Sequence, residues 1–204
     1  MSLASYSDLQ TTALSLAHKT GDTTLTAQLP DLIVLAEARI YRDVRAHEME
    51  TAFSSAISSG VVAVPSGFLG WKSVYVNSSP VQFLQTKTLD WIFQNYPTRS
   101  ADGVPKFIGR NGANFEFGPY PDSTYTIKGT YWAKLAAVSS SWNALATAFP
   151  ELFLFATMCE VAEYVRDLEM LARFEAKYSQ IVESINAQNN EIEFSGAPLA
   201  VTAR

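Results

Sequence analysis

Apolar residues fall along this chain in three regimes, and the change of period marks its organisation. Near the start, Leu9, Ala13, Leu16 and Ala17 recur on one side of a helix that Ser5 or Ser7 caps. Gly21 and Asp22 break it. Pro30 and Asp31 then open a second helix, because a proline in the first turn loses no hydrogen bond. Its apolar stripe is Ile33, Ala36, Ile40 and Val44, with Glu37, Arg39, Arg42, Asp43 and Arg45 on the wet side, and it ends near His47.

From about Met49 to Val138 the period falls to two. Ser58-Ser59-Gly60 turns the chain between Ala52–Ile57 and Val61–Val64, and Pro65 and Gly67 end the latter. Val74–Val76 is a further strand, closed by Asn77-Ser78-Ser79-Pro80. Thr88 caps a short helix, Leu89–Asn95, stopped by Pro97. Lys106–Arg110 and Asn114–Phe117 flank Asn111-Gly112, a hairpin signal because both residues tolerate positive φ. Tyr125 to Trp132 alternates faces as one long strand.

The helical period then returns. Pro150 sits in a first turn, and Glu151–Arg166 is apolar nearly all round, which predicts a central helix. Asp167 marks a break. From Leu168 to about Asn190, Leu171, Phe174, Tyr178, Ile181 and Ile185 form a stripe that seats on a partner helix. Beyond Glu191 no periodicity remains, and Gly196 and Pro198 stand among small residues. The order predicts an α+β fold. Residues 1–48 and 143–190 form a four-helix bundle, residues 49–142 a β-rich insertion between helices 2 and 3, and residues 191–204 an extended C-terminal tail.

Composition narrows the function. Of 204 residues, 48% are hydrophobic and only 17% charged, below the roughly 25% usual for soluble domains, so partners are expected to cover some surface. The net charge of −5 argues against binding nucleic acid by phosphate neutralisation, although it suits a wall that DNA slides past. The first residues lack a basic stretch and an apolar run, so no secretory signal is expected, and no segment reaches a membrane-spanning apolar length.

Catalytic signatures are sparse. His18 and His47 belong to no metal-ligating frame and read as solvated helix-end residues; no metal site or cofactor is expected. Cys159 lies inside the most apolar helix and reads as an inert thiol. Neither a phosphate loop nor a Gly-x-Ser-x-Gly elbow occurs, and Gly109-Arg110-Asn111-Gly112 sits between strands rather than between RNA-binding helices. Glu48 with Glu50, and Asp102 with Glu116, are candidate hydrolase pairs, but surface charge is the simpler reading. Aromatics crowd the β-rich block, including Phe68, Trp71, Tyr75, Phe83, Trp91 and Phe107; core, interface and a sugar-binding platform are the three readings. The chain is expected not to be an enzyme.

Four segments carry a resemblance: Leu29-Pro30-Asp31 through Ala36-Glu37-Ala38-Arg39-Ile40 and on to Met49-Glu50; Val61–Phe68; Pro105–Ile108 through Gly118-Pro119-Tyr120-Pro121-Asp122 to Thr126; and Pro150–Ala156 leading to Glu160–Asp167. In order and spacing they resemble the head-to-tail adaptor, or connector, proteins beneath the portal of tailed bacteriophages, related in role to tail tubular gatekeeper proteins. The resemblance implies a structural virion protein of the neck, assembled in the host cytoplasm. It implies a ring, usually of twelve copies, bound to the portal protein. Such a ring extends the DNA channel, passes viral DNA without reading its sequence, and gives a tail, nozzle or stopper protein its platform. On that reading Ile192, Phe194, Pro198, Leu199 and Val201 dock on the portal, and Arg39, Arg42 and Arg45 meet acidic residues of a neighbouring copy. Another head-closure or tail-completion protein and a phage carbohydrate-binding module are the alternatives.

Overall fold

The computed structural model describes residues 3–100 and 102–194, with the side chains of 192–194 outside the description. Among them it shows a mixed α and β chain with six helices and two sheets. The chain divides into two compact units: one takes the chain up to Met49 and again from Leu135, the other is Glu50–Lys134.

In the first unit, α1 (Tyr6–Leu16) starts at Ser5, whose hydroxyl accepts the Asp8 N–H at 3.2 Å. α2 (Thr23–Asp43) starts earlier than its sequence suggests. Asp22 is the cap rather than a breaker, its carboxylate accepting the Leu25 N–H at 3.0 Å. Pro30 therefore lies inside α2, not at its first turn. The helix tolerates it because Pro30 and Thr26, whose carbonyl loses its helical partner, are both exposed, which leaves the freed oxygen on the solvent side. The buried stripe extends back through Leu25 and Leu29.

Pro150 opens α5 (Pro150–Val165), as its position predicts. Leu152, Phe153, Ala156, Met158, Cys159 and Ala162 on it are at most 1% exposed, because α1, α2, α4 (Ala144–Ala148) and α6 (Leu168–Phe194) all pack on it. Each large side chain so buried contributes about 1.5–3 kcal/mol. Arg166 takes the left-handed conformation at φ 60°, and Asp167 caps α6 by accepting the Met170 N–H at 2.9 Å, which folds α5 back onto α6.

α4 lies in a stretch before Pro150 to which the hydrophobic pattern assigns no element. Asn143 makes it. Its side-chain oxygen accepts the Ala146 N–H at 2.9 Å while its amide donates to the Ala136 carbonyl at 2.8 Å. α6 continues past Asn190 to Phe194, so Glu191 to Phe194 lie on a helical backbone rather than in an extended tail.

The second unit holds β1 (Glu50–Ala56), β2 (Val61–Ala63), β3 (Phe68–Val76), β4 (Gln82–Phe83), β5 (Gln85–Thr86), α3 (Leu89–Asn95), β6 (Phe107–Asn111), β7 (Asn114–Gly118) and β8 (Thr126–Ala133). One sheet has the order β1-β8-β3-β4, the other β2-β7-β6-β5. Ile57, Val62, Val74, Ile108, Phe117 and Ile127 belong to one apolar cluster drawn from both. The turn at Ser59 and Gly60 (φ 51° and 75°) therefore sends β1 and β2 into different sheets, joined only by a Ser58–Val61 bridge. β3 is longer than Val74–Val76. Gly70, Lys72 and Ser73 hide its start in the sequence, and irregularities at Phe68/Gly70 and Trp71/Ser73 disturb its pairing with β8. In the β6–β7 hairpin, Asn111 pairs with Asn114, so Gly112 and Ala113 are the central residues and only Gly112 has positive φ, at 58°.

Candidate interaction surfaces

The three arginines of the second helix have different fates. Arg39 is used within its own chain: its Nε lies 3.0 Å from Glu160 of α5, its guanidinium donates to Glu175 of α6 at 2.7 Å, and it sits over the Tyr178 ring at 5.6 Å. Tyr178 in turn donates to Asp43 at 2.8 Å. Burial, and then the Asp43 carboxylate, hold the Tyr178 phenol well above its ordinary range. Burial likewise raises the Glu160 carboxyl, against the opposing pull of Arg39. This network staples α2 to α5 and α6, so Arg39 has acidic partners within its own chain. Arg45 folds back onto the carbonyls of Tyr41 and Val44, at 2.7 Å each, so it caps the end of α2. Arg42 stands exposed.

Of the tail candidates, Ile192 and Phe194 lie on the helical backbone of α6, with their side chains outside the described residues. Pro198, Leu199 and Val201 also lie outside the described residues.

Some of the groups weighed for chemistry have structural partners. His18 is exposed just past α1 with φ 54°, and His47 is exposed at the start of a 3-10 turn. Cys159 is buried, and that burial pushes its thiol up to about 11, so it stays protonated and unreactive at neutral pH. Glu50 pairs with Lys72, and Glu116 accepts from Arg99 at 2.7 Å and from Asn111 at 2.6 Å. Two of the four candidate carboxylates are thus neutralised by structural partners. The aromatics Phe53, Phe68, Trp71, Phe115 and Tyr131 pack on one another, with Phe68 and Trp71 rings 5.0 Å apart, and Phe68, Trp71 and Phe115 also line a depression of about 240 Å³ beside Arg110. No group of acids, histidines and cysteine among the described residues could hold a metal ion, and no described helix is long and apolar enough to cross a membrane.

Two surfaces of the helical unit stand out instead. The outward face of α2 carries Asp31, Val34, Leu35, Ala38 and Arg42, spaced to lie on one side of the helix. Val34 and Leu35 are 56% and 53% exposed, so this apolar patch is uncovered among the described residues. Sequence reading missed it because it followed the buried stripe; Val34 and Leu35, which fall off that stripe, were the available signal. The second surface is a groove of about 440 Å³ where α1 meets α5 and α6, floored by Leu16, Leu154, Phe155 and Phe174 and edged by Arg173 and Lys177.

The family model for the SU10 adaptor protein matches residues 4–202. The chain belongs to that family. Membership bears out the sequence resemblance: this adaptor is a phage structural protein and a virion component, made to work with other head and tail proteins. No curated protein matches it.

Proposed function

We propose that this adaptor forms a ring, of twelve copies, beneath the portal in the virion neck. The ring prolongs the DNA channel and presents a platform to the tail, nozzle or stopper protein. On this reading the helical unit is a four-helix bundle and Glu50–Lys134 a β-rich insertion between its second and third helices. The C-terminal segment, with Ile192, Phe194, Pro198, Leu199 and Val201, docks on the portal, and ordering it there is offset by a long contact. DNA passes the lumen without sequence-specific binding, in keeping with a net charge of −5. The role is mechanical and needs no cofactor or catalytic group.

The observation that carries this reading is the apolar face of α2, exposed at Val34 and Leu35, on a chain of the adaptor family, because contiguous exposed apolar residues mark surfaces that partners cover. Size-exclusion chromatography of the purified chain with and without the portal protein of the same phage tests it. The expected result is a complex that carries the adaptor in equal number to the portal subunits. Failure to bind portal under any condition would contradict it.

A further inference from the structure

The two surfaces of the helical unit are complementary in both charge and length. Along α2 the outward face reads acid, apolar, cation: Asp31, then Val34 and Leu35, then Arg42. Along the groove side of α6 acids also stand at one end and cations at the other. Asp167 and Glu169 line one end beside Leu16 and Met170, and Arg173 and Lys177 the other end with Phe155 and Phe174; the two depressions share Leu16, His18, Arg173 and Phe174. Laid antiparallel, each charge meets its opposite. Eleven residues separate Asp31 from Arg42 and ten separate Asp167 from Lys177, spans of about 17 Å and about 15 Å at the helical rise of about 1.5 Å per residue.

None of Asp31, Arg42, Arg173 and Lys177 lies in an ion pair among the described residues. The Lys177 ammonium and the Arg173 guanidinium instead stand over the Phe155 and Phe174 rings, at 5.0 and 5.8 Å, which holds both cations at the groove. A chain cannot satisfy its own pair of surfaces. Its α2 is held to α5 by the opposite side, the buried stripe Leu29, Ile33, Ala36 and Ile40, while Arg39 and Asp43 tie its flank to α5 and α6, so the outward face is turned from the helices that line its own groove.

We propose that the outward face of α2 in one copy seats in the α1–α5–α6 groove of the next copy, with Asp31 against Lys177 and Arg173, and Arg42 against Glu169 and Asp167. Val34 and Leu35 fill the apolar floor, the helix-in-groove mode of recognition. Because the two patches differ, the contact is heterologous, and repeating it generates a closed ring when the rotation fits. This rests on the ring reading above and names the surfaces that close it. DNA is the poorer occupant: the acids at one end repel a phosphate backbone, and the apolar floor offers it nothing.

Charge reversal tests the pairing. Asp31→Lys and Lys177→Asp, each alone, should raise the concentration for half-assembly on portal at least about tenfold, and the two together should restore it. Circular dichroism checks that each variant is folded. As a second arm, Leu35→Cys and Leu16→Cys preparations are mixed on portal and oxidised, with buried Cys159 silent. They should form a disulfide between copies that neither preparation forms alone. Single reversals without effect, loss without rescue, or no mixed disulfide would overturn the proposal. A ring that still forms in those cases leaves the adaptor reading standing. A wild type that forms no ring on portal overturns both.

Discussion

Glu37 Oε1 accepts the backbone N–H of Val138 at 3.0 Å, joining residues 101 positions apart in the chain. Both are buried, Glu37 at 4% and Val138 at 1% exposure. The carboxylate on α2 thereby receives the chain as it re-enters the helical unit, just before Asn143 starts α4. Replacing Glu37 by Ala strands a buried N–H, which costs about 2–3 kcal/mol. Glu37→Gln keeps an acceptor oxygen and should lose less than half as much. Urea unfolding of the two variants measures the difference.

The Arg39 network should behave as one unit. Arg39→Met leaves Glu160, with 12% of its side chain exposed, without its cation. The expected loss is about 2 kcal/mol, below the 3–5 kcal/mol of a fully buried pair because Arg39 itself keeps some contact with water. In a double-mutant cycle, Arg39→Met with Glu160→Gln should cost less than the sum of the two.

Glu160 also gives a pH dependence of definite sign. Burial, outweighing Arg39, raises its folded pKa above the unfolded carboxylate value. The folded state then holds the proton to higher pH, so this carboxyl's contribution to stability falls as pH rises through the interval between the two values. Glu160→Gln lacks that slope. Its stability relative to wild type should improve as pH is raised from about 4 to about 7. Chemical denaturation at a series of pH values shows whether it does.

Cys159 should be silent to a thiol reagent in the folded protein at about pH 8 and react fully once the chain is unfolded. Its folded value of about 11 exceeds that of a free thiol, so the associated stability declines above about pH 8.5, as the unfolded thiol ionises first. Rapid labelling of native protein would contradict the packing assigned to α5.

Gly129 marks where the β-rich unit cannot accept a side chain. A Cβ there would stand 2.2 Å from the Ser73 carbonyl oxygen of β3, which is backbone and cannot swing away. Gly129→Ala should destabilise by about 2–3 kcal/mol through displacement of β3 from β8. At Gly112 nothing lies within 4 Å of an added Cβ, so Gly112→Ala meets only the strain of its positive φ, about 1 kcal/mol. Thermal unfolding of the pair separates steric from conformational cost.

Elements whose cause is local could be read from the chain. Ser5, Thr88 and Pro150 start helices where the cap rules place them, and α5, apolar all round, is central. Other features depended on what a side chain meets elsewhere. Asp22 reads equally as a breaker or a cap until Leu25 is seen to be buried. Pro30 inside α2 depends on which side of the helix is wet. Arg39 looks like a free cation until Glu160 and Glu175, more than a hundred residues away, are brought to it by α5 and α6. The candidate interface was half legible: Arg42 stands exposed as expected, but a stripe argument selects buried positions and passes over Val34 and Leu35. The groove could not be read at all, because it exists only where three helices meet.

The central claim is that this chain joins head to tail, and particles assembled without it test that most directly. With the gene disrupted and the other structural genes intact, electron microscopy should show heads and free tails side by side but no joined virions, with joining restored by the wild-type chain supplied in trans. Intact tailed virions that lack this polypeptide would contradict the account.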